Sequence, residues 1–378
     1  MQPFIKWPGG KHDELKIIIP NLPVTINRFI EPFVGGGAVY FAVRNCNAFL
    51  INDKSRELIG LYEVIRDQDQ DFLGKLEQIN HNWVLLEEVI GNHSADLLNM
   101  YRVYRENIID DKTLGVRIEH FIERYQEDFN GLLRRDFNID LEHFISQIKR
   151  NLISKTRRMK KIEILAGNLS DEDILQNIES AFKSGTYMHF RHLYNNLRDY
   201  NIGRSFELAL FYFIREYCYS SMFRYNSRGK FNVPYGGISY NRKNFSTKII
   251  KLSDRETIER LNHTTICGLD FEDFLNQLQP GPNDFIFLDP PYDTDFSTYA
   301  QNTFDQNDQI RLANYLRNTT ANFMIVIKNT EFIYDLYKDF NIISFDKKYL
   351  VSFQNRNEKN AEHLLITNYR INLGDENG

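Results

Sequence analysis

Four short apolar runs, each stopping at a glycine turn or an acid, constrain this chain more than any other feature. They are FIEPF at 29–33 running into VGGG, AFLIND at 48–53, TTICGLD at 264–270 and FIFLD at 285–289. A short apolar run closed by a turn signal reads as a buried strand. Helical-period segments follow: AVYFAVRN after the first, and SRELIGLYEVIRDQ after the second with Leu58, Leu61, Tyr62 and Ile65 on one stripe. Further on, DQNDQIRLANYLRNTT and IYDLYKDF read as helices, NFMIVIKN as a strand, and IISFD and EHLLITNY as closing, antiparallel strands. Alternation of this kind predicts an α/β fold with one doubly wound, mainly parallel sheet.

From about 69 to 204 the character changes. IEHFIERYQEDF, LEHFISQIKRNLISK and SDEDILQNIESAFKSG are polar and helical in period, and Ser170 followed by Asp173 is a capping signal. This stretch reads as an inserted, mostly helical domain at 69–204, between a first part at 1–68 and a last part at 205–378. A length of 378 residues suits that arrangement.

The bulk composition excludes several classes. Cys46, Cys218 and Cys267 share no metal-like spacing, so buried thiols in a reducing compartment are expected and no metal is. No apolar run approaches the length of a membrane span, and MQPFIKWPGGK has no signal-peptide core, so cytoplasmic residence is expected. The net charge of −5 does not announce a nucleic-acid binder, but it does not describe the distribution.

In such a sheet, ligands lie beyond the C-terminal strand ends. The glycines of EPFVGGG let a backbone approach a ligand closely. The pattern is neither GxGxxG nor GxxxxGK[ST], which argues against a dinucleotide or a P-loop triphosphate. Asp53, ending the second strand, can accept both hydroxyls of a ribose or cap the next helix. Together the two point to a nucleoside-like ligand. KWPGGK at 6–11 offers the cation of Lys11 and the flat face of Trp7, or else a tight turn packed on the sheet edge.

DPPY at 289–292 is more demanding. Asp289 can accept a hydrogen bond from an exocyclic amine. The two prolines fix φ and supply no N–H, so the Pro290 carbonyl can be held outward as a second acceptor. Tyr292 supplies a ring to stack on a flat base. Such a set concentrates electron density on an amino nitrogen, as attack by –NH2 on an electrophilic carbon requires. The plain alternative is an acid-capped turn with a packed tyrosine. Met222 to Leu252 contains no acid, and RYNSRGKFNVPYGG at 224–237 interleaves cations with asparagine and aromatic residues. KRNLISKTRRMKK at 149–161 is a second acid-free segment. Either can neutralise phosphates, or can be a solvated face.

KWPGGK, EPFVGGG, IND at 51–53, RYNSRGKFNVPYG and DPPY occur in the order found in the Dam-like, D12 class of adenine-specific DNA methyltransferases, which the chain resembles over roughly 1–65 and 205–368. The resemblance implies a Rossmann-like methyltransferase fold and S-adenosyl-L-methionine as cofactor. Its pocket would take Trp7, Lys11, Glu31, Phe33, Gly35, Gly37, Asp53, Asp270, Phe271 and Asp289. The catalytic set would be Asp289, Pro290 and Tyr292, acting on an adenine flipped out of double-stranded DNA. DNA contacts would come from Arg224, Asn226, Arg228, Lys230, Asn232 and Tyr235, with base reading in the helical insertion. A restriction endonuclease acting on the same site is the partner this implies. Methylation of cytosine N4, or a catalytically silent DNA-binding subunit, are the readings left beside it.

Overall fold

The computed structural model describes residues 1–129, 131–134, 137–222, 224–291, 304–347 and 361–371. The chain forms two compact units, 1–67 with 253–378, and 68–252.

The first unit is built on seven strands: β1 (Ile26–Glu31), β2 (Cys46–Asn52), β3 (Thr264–Cys267), β4 (Phe285–Leu288), β5 (Asn322–Lys328), β6 (Asn341–Lys347) and β7 (Ala361–Thr367). Their order in the sheet is β3-β2-β1-β4-β5-β7-β6. The first five pair in parallel, and β7 runs antiparallel to both β5 and β6. Every strand expected from the sequence is present. All of β4 is buried, as a parallel strand covered on both faces must be.

Its helices are α1 (Leu15–Ile18), α2 (Ala38–Ala42), α3 (Arg56–Arg66), α11 (Arg255–Asn262), α12 (Phe271–Leu278), α13 (Gln306–Asn318) and α14 (Glu331–Tyr337). The Ser55 hydroxyl caps α3, and the stripe Leu58, Leu61, Tyr62 and Ile65 is buried as its period predicts. On one side of the sheet, Ile30, Ile286, Leu288, Ile325 and Ile327 pack with Phe274, Leu312 and Leu316.

The second unit is helical: α4 (Gln70–Asn92), α5 (Ser94–Arg105), α6 (Asp111–Arg124), α7 (Leu141–Ala166), α8 (Asp171–Asn195), α9 (Arg204–Tyr217) and α10 (Ser246–Leu252). Asp69, Asp110, Asp140 and Ser170 each accept a helix N-terminal N–H, the last being the cap read from the sequence. The unit extends to 252 rather than 204. The cause is α9, whose aromatic face belongs to the helices. Trp83 of α4 packs on Phe213 and Tyr217 at 5.0 and 4.7 Å, and Phe190 of α8 packs on Phe213 at 5.4 Å.

Three histidines join α7 to α8. The His143 ring stacks on His192 at 3.8 Å, and its Nδ1 lies 3.1 Å from Nδ1 of His189. Nε2 of His192 donates to Tyr200, whose hydroxyl donates to Asp140. Burial lowers all three imidazoles, pushing His189 down to about 3. Among the described residues, no histidine, cysteine and acid cluster is arranged to hold a metal ion, and no helix is long and apolar enough to cross a membrane. Cys218 is buried and Cys46 and Cys267 half-buried, all as thiols.

Candidate active site

The sheet order reverses direction between β1 and β4, and the glycine turn follows β1. Gly35 and Gly37 adopt φ of +50° and +75°, a region that favours glycine. Space is equally restrictive. A Cβ on Gly35 would stand 2.8 Å from Cδ1 of Trp7, and one on Gly37 would stand 2.6 Å from the Tyr62 hydroxyl. Trp7 therefore lies against the turn, and the Tyr62 hydroxyl donates to the Gly35 carbonyl at 3.0 Å.

Asp53 lies one residue beyond β2, at the same edge. Its Oδ2 accepts the Gly35 N–H at 3.0 Å and its Oδ1 accepts the Ser55 N–H at 2.9 Å. Burial pushes this carboxyl up to about 6, against the pull of those two donors. The acid expected to meet a ribose thus also holds the glycine turn in place.

Asn52, which the sequence reading left unassigned, ties three strand ends together. Its Nδ2 donates to the carbonyls of Pro32 and Leu269, each at 3.0 Å, and its Oδ1 accepts the Leu269 N–H at 2.8 Å. The signal was a polar residue ending an apolar strand beside Asp53.

Glu31 closes β1 with 2% exposure, and its Oε2 has no hydrogen-bond partner among the described residues. Burial first, and then the Asp289 charge, push its carboxyl well above the usual carboxylate range. Asp289 follows β4 and is met by Lys11. The Lys11 ammonium donates to Oδ1 of Asp289 and to the Gly9 carbonyl, the latter at 3.0 Å. Lys11 of KWPGGK and Asp289 of DPPY are thus brought together. Pro290 is buried, and the Pro291 carbonyl accepts from Gln309 of α13 at 3.2 Å. Tyr292 lies outside the described residues.

Beyond β3, Phe271 forms an aromatic triangle with Phe33 and Phe304, with centroids 5.4 to 5.7 Å apart. Asp270 caps α12, and its Oδ1 accepts from Arg311 of α13 at 2.6 Å. Arg311 also binds Glu272 and Asp308 and lies over the Phe271 ring. The sequence reading did not single out Arg311, because Asp270 and Glu272 are distant from it in the chain.

In the second unit, 224–232 forms a hairpin with a single bridge, Tyr225 to Phe231. Asn226 makes its turn, its Oδ1 accepting the N–H groups of Arg228 and Lys230 at 3.0 Å each. Arg224 donates to Asn232 across the hairpin at 3.1 Å. Arg224, Asn226, Arg228 and Lys230 are exposed. Tyr235 is not: it is buried against Trp83, Tyr187 and Tyr217, with its hydroxyl on Asn241. Its expected place as a ligand contact is corrected to one in the core. The 149–161 cations divide in the same way. Lys149 and Arg157 pair with Glu119 and Asp111, and Lys160 donates to Asn107, all within the second unit.

The geometry agrees with what the comparisons find. A family model described as D12 class N6 adenine-specific DNA methyltransferase matches residues 7–351. The type II methyltransferase M.CviBI of Paramecium bursaria Chlorella virus NC1A is 26% identical, covering 98% of this chain and 100% of that protein. The type II methyltransferase M.MjaIII of Methanocaldococcus jannaschii is 25% identical, covering 98% of this chain and 99% of its own. The DNA adenine methylase of Serratia marcescens is 22% identical, covering 82% and 76%. With its strand-end glycine turn, its Asp289 corner and a match over nearly its whole length, the chain belongs to the D12 class of N6 adenine-specific DNA methyltransferases, whose reaction is methylation of adenine N6 in DNA.

Proposed function

We propose that the chain methylates the N6 amine of an adenine extruded from double-stranded DNA, with S-adenosyl-L-methionine as methyl donor. The observation that carries this is the meeting at one sheet edge of the glycine turn, Glu31 and the Lys11–Asp289 pair. The residues fit the cofactor. The Glu31 oxygen is buried and without a partner among the described residues, and the turn at Gly35 and Gly37 admits no side chain. Glu31 and Lys11 would hold the methionine end, Asp53 the ribose, and Phe33, Phe271 and Asp270 the adenine ring. When bound, the cofactor supplies an electrophilic methyl group on a sulfonium.

The protein's own residues supply alignment. A target adenine is unreachable inside the duplex and leaves it at a cost of about a few kcal/mol. Asp289, fixed through one oxygen by Lys11, has the acceptor capacity of a carboxylate for an N6 hydrogen, and the Pro290 carbonyl takes the other. Both acceptors stabilise the positive charge that grows on N6 as its lone pair attacks, without a nucleophilic side chain. The N6 proton leaves after transfer, because the ground-state amine is barely acidic. The exposed cations of the 224–232 hairpin would neutralise phosphates and fix the register on DNA. Residues of the helical unit would read base edges. The type II relatives extend the reading to a partner, an endonuclease whose site this modification protects.

The test is direct. The protein is incubated with labelled S-adenosylmethionine and mixed DNA, and the DNA is digested to nucleosides. Label in N6-methyladenine is expected. Label in N4-methylcytosine, or in no nucleoside, overturns the proposal.

A further inference from the structure

Tyr187, Arg191 and Asn195 are spaced by four and share one face of α8. All three bond the main chain of the 224–237 segment. Oδ1 of Asn195 accepts the Phe231 N–H at 2.8 Å, while its Nδ2 donates to the Phe231 carbonyl at 2.8 Å. Taking both main-chain groups of one residue is what a neighbouring strand does at a hydrogen-bonded pair. Tyr187 and Arg191 both donate to the Val233 carbonyl, at 3.0 and 2.9 Å. The following residue, Asn196, accepts from the Lys230 ammonium at 2.7 Å. Lys230 and Phe231 of the hairpin's second arm, and Val233 just after it, are therefore held from one helix and its C-cap residue.

The hairpin is short: besides the Tyr225–Phe231 bridge, the Asn226 N–H donates to the Lys230 carbonyl at 2.9 Å and the Asn232 N–H to the Arg224 carbonyl at 3.1 Å. A two-stranded hairpin of this size is marginal in water without support from outside. A slip of one residue would exchange the faces of every side chain on the arm. It would also change which of Arg224, Asn226, Arg228 and Lys230 point outward.

We infer that Asn195, supported by Tyr187 and Arg191, is a positioning residue that sets the register of the DNA-binding hairpin, and through it the sequence discrimination of the enzyme. This rests on the proposed role of the hairpin in binding DNA. Asparagine suits the task because one side chain carries both a donor and an acceptor. Aspartate loses the donor, and leucine loses both at similar volume.

The experiment compares wild type, Asn195→Asp, Asn195→Leu and the milder Tyr187→Phe. Tyr187→Phe removes one of two donors to Val233 and keeps the ring. Three quantities are read: KM for DNA against kcat at saturating DNA, cofactor Kd, and the share of N6-methyladenine outside the recognition sequence. For both Asn195 variants, KM for DNA should rise roughly tenfold. Their off-site share should rise several-fold, with kcat and cofactor Kd within about twofold, as expected for a change confined to DNA register. Tyr187→Phe should move the same way by less. Wild-type DNA KM and off-site share in all three variants would overturn the inference. So would equal losses in kcat, cofactor affinity and DNA affinity, the pattern of general unfolding. Wild-type protein without any DNA binding would instead sink the functional reading beneath it.

Discussion

The ammonium of Lys11 and the carboxylate of Asp289, 278 residues apart in sequence, form one ion pair at the edge of the sheet. The lysine side chain is 1% exposed and the aspartate side chain 20%. Removing one partner leaves a poorly solvated charge, which costs far more than the pair contributes. Lys11→Met should destabilise the protein by about 3 kcal/mol. Lys11→Met combined with Asp289→Asn should be less unstable than the sum of the singles. Urea unfolding of the four proteins checks this, and additive losses would show the pair to be uncoupled.

Asp289→Ala should abolish methyl transfer while cofactor affinity stays within a few-fold. In its proposed role the carboxylate acts on charge that develops only as N6 attacks, so its loss should fall on kcat, by roughly 10²-fold or more. Single-turnover kinetics with bound cofactor measure this. Normal turnover would remove Asp289 from the chemistry.

Asn52 makes three hydrogen bonds with main-chain groups at two strand ends. Asn52→Ala would leave those buried groups unpaired, at about 1–3 kcal/mol for each group that water cannot reach. Thermal unfolding should show the loss. Because Asn52 holds Pro32, directly before the glycine turn, KM for the cofactor should rise more than KM for DNA. Equal rises in both would contradict a positioning role.

Phosphate contacts are read by salt. If Arg228 and Lys230 meet the backbone, Arg228→Ala and Lys230→Ala should each reduce the slope of log K against log salt by about 0.9. Lys149→Ala and Arg157→Ala should leave it unchanged, because Glu119 and Asp111 already engage those cations. Binding titrations at several salt concentrations decide it. A reduced slope in the second pair would bring α7 into the interface.

Acid should weaken the helical unit. His189 titrates at about 3 when folded, against an ordinary value near 6.5. Below 6.5 the unfolded chain takes up protons that the folded one refuses, so stability falls with falling pH, by about 1.4 kcal/mol per pH unit for this group. The loss starts near pH 6.5 and ends near 3. Asp53 acts with the opposite sign in the other unit. Its carboxyl is raised to about 6, so the folded chain keeps a proton that the unfolded one has lost, and stability falls as pH rises from the ordinary 3.8 to 6. The two tryptophans, Trp7 and Trp83, lie in different units. In a Trp7→Phe protein, Trp83 fluorescence alone reports the helical unit. His189→Gln should flatten its acid slope, and an unchanged slope would locate the acid sensitivity elsewhere.

The strands, with an antiparallel closing pair, could be read directly from the sequence, because runs such as FIFL and NFMIVIK carry their burial in consecutive residues. So could the glycine turn, whose positive φ values require the residue type that stands there. The motifs RYNSRGKF and DPPY carried the resemblance to the family that the comparisons bear out. Tertiary structure alone decided which distant groups meet. Lys11 with Asp289, Arg311 with Asp270, and Asn195 with Phe231 are fixed by strand order and helix packing, to which no local pattern is sensitive. It also moved α9 into the helical unit and Tyr235 into its core. An aromatic side chain looks the same in sequence whether it faces a ligand or a neighbouring helix, and only the completed packing tells the two apart.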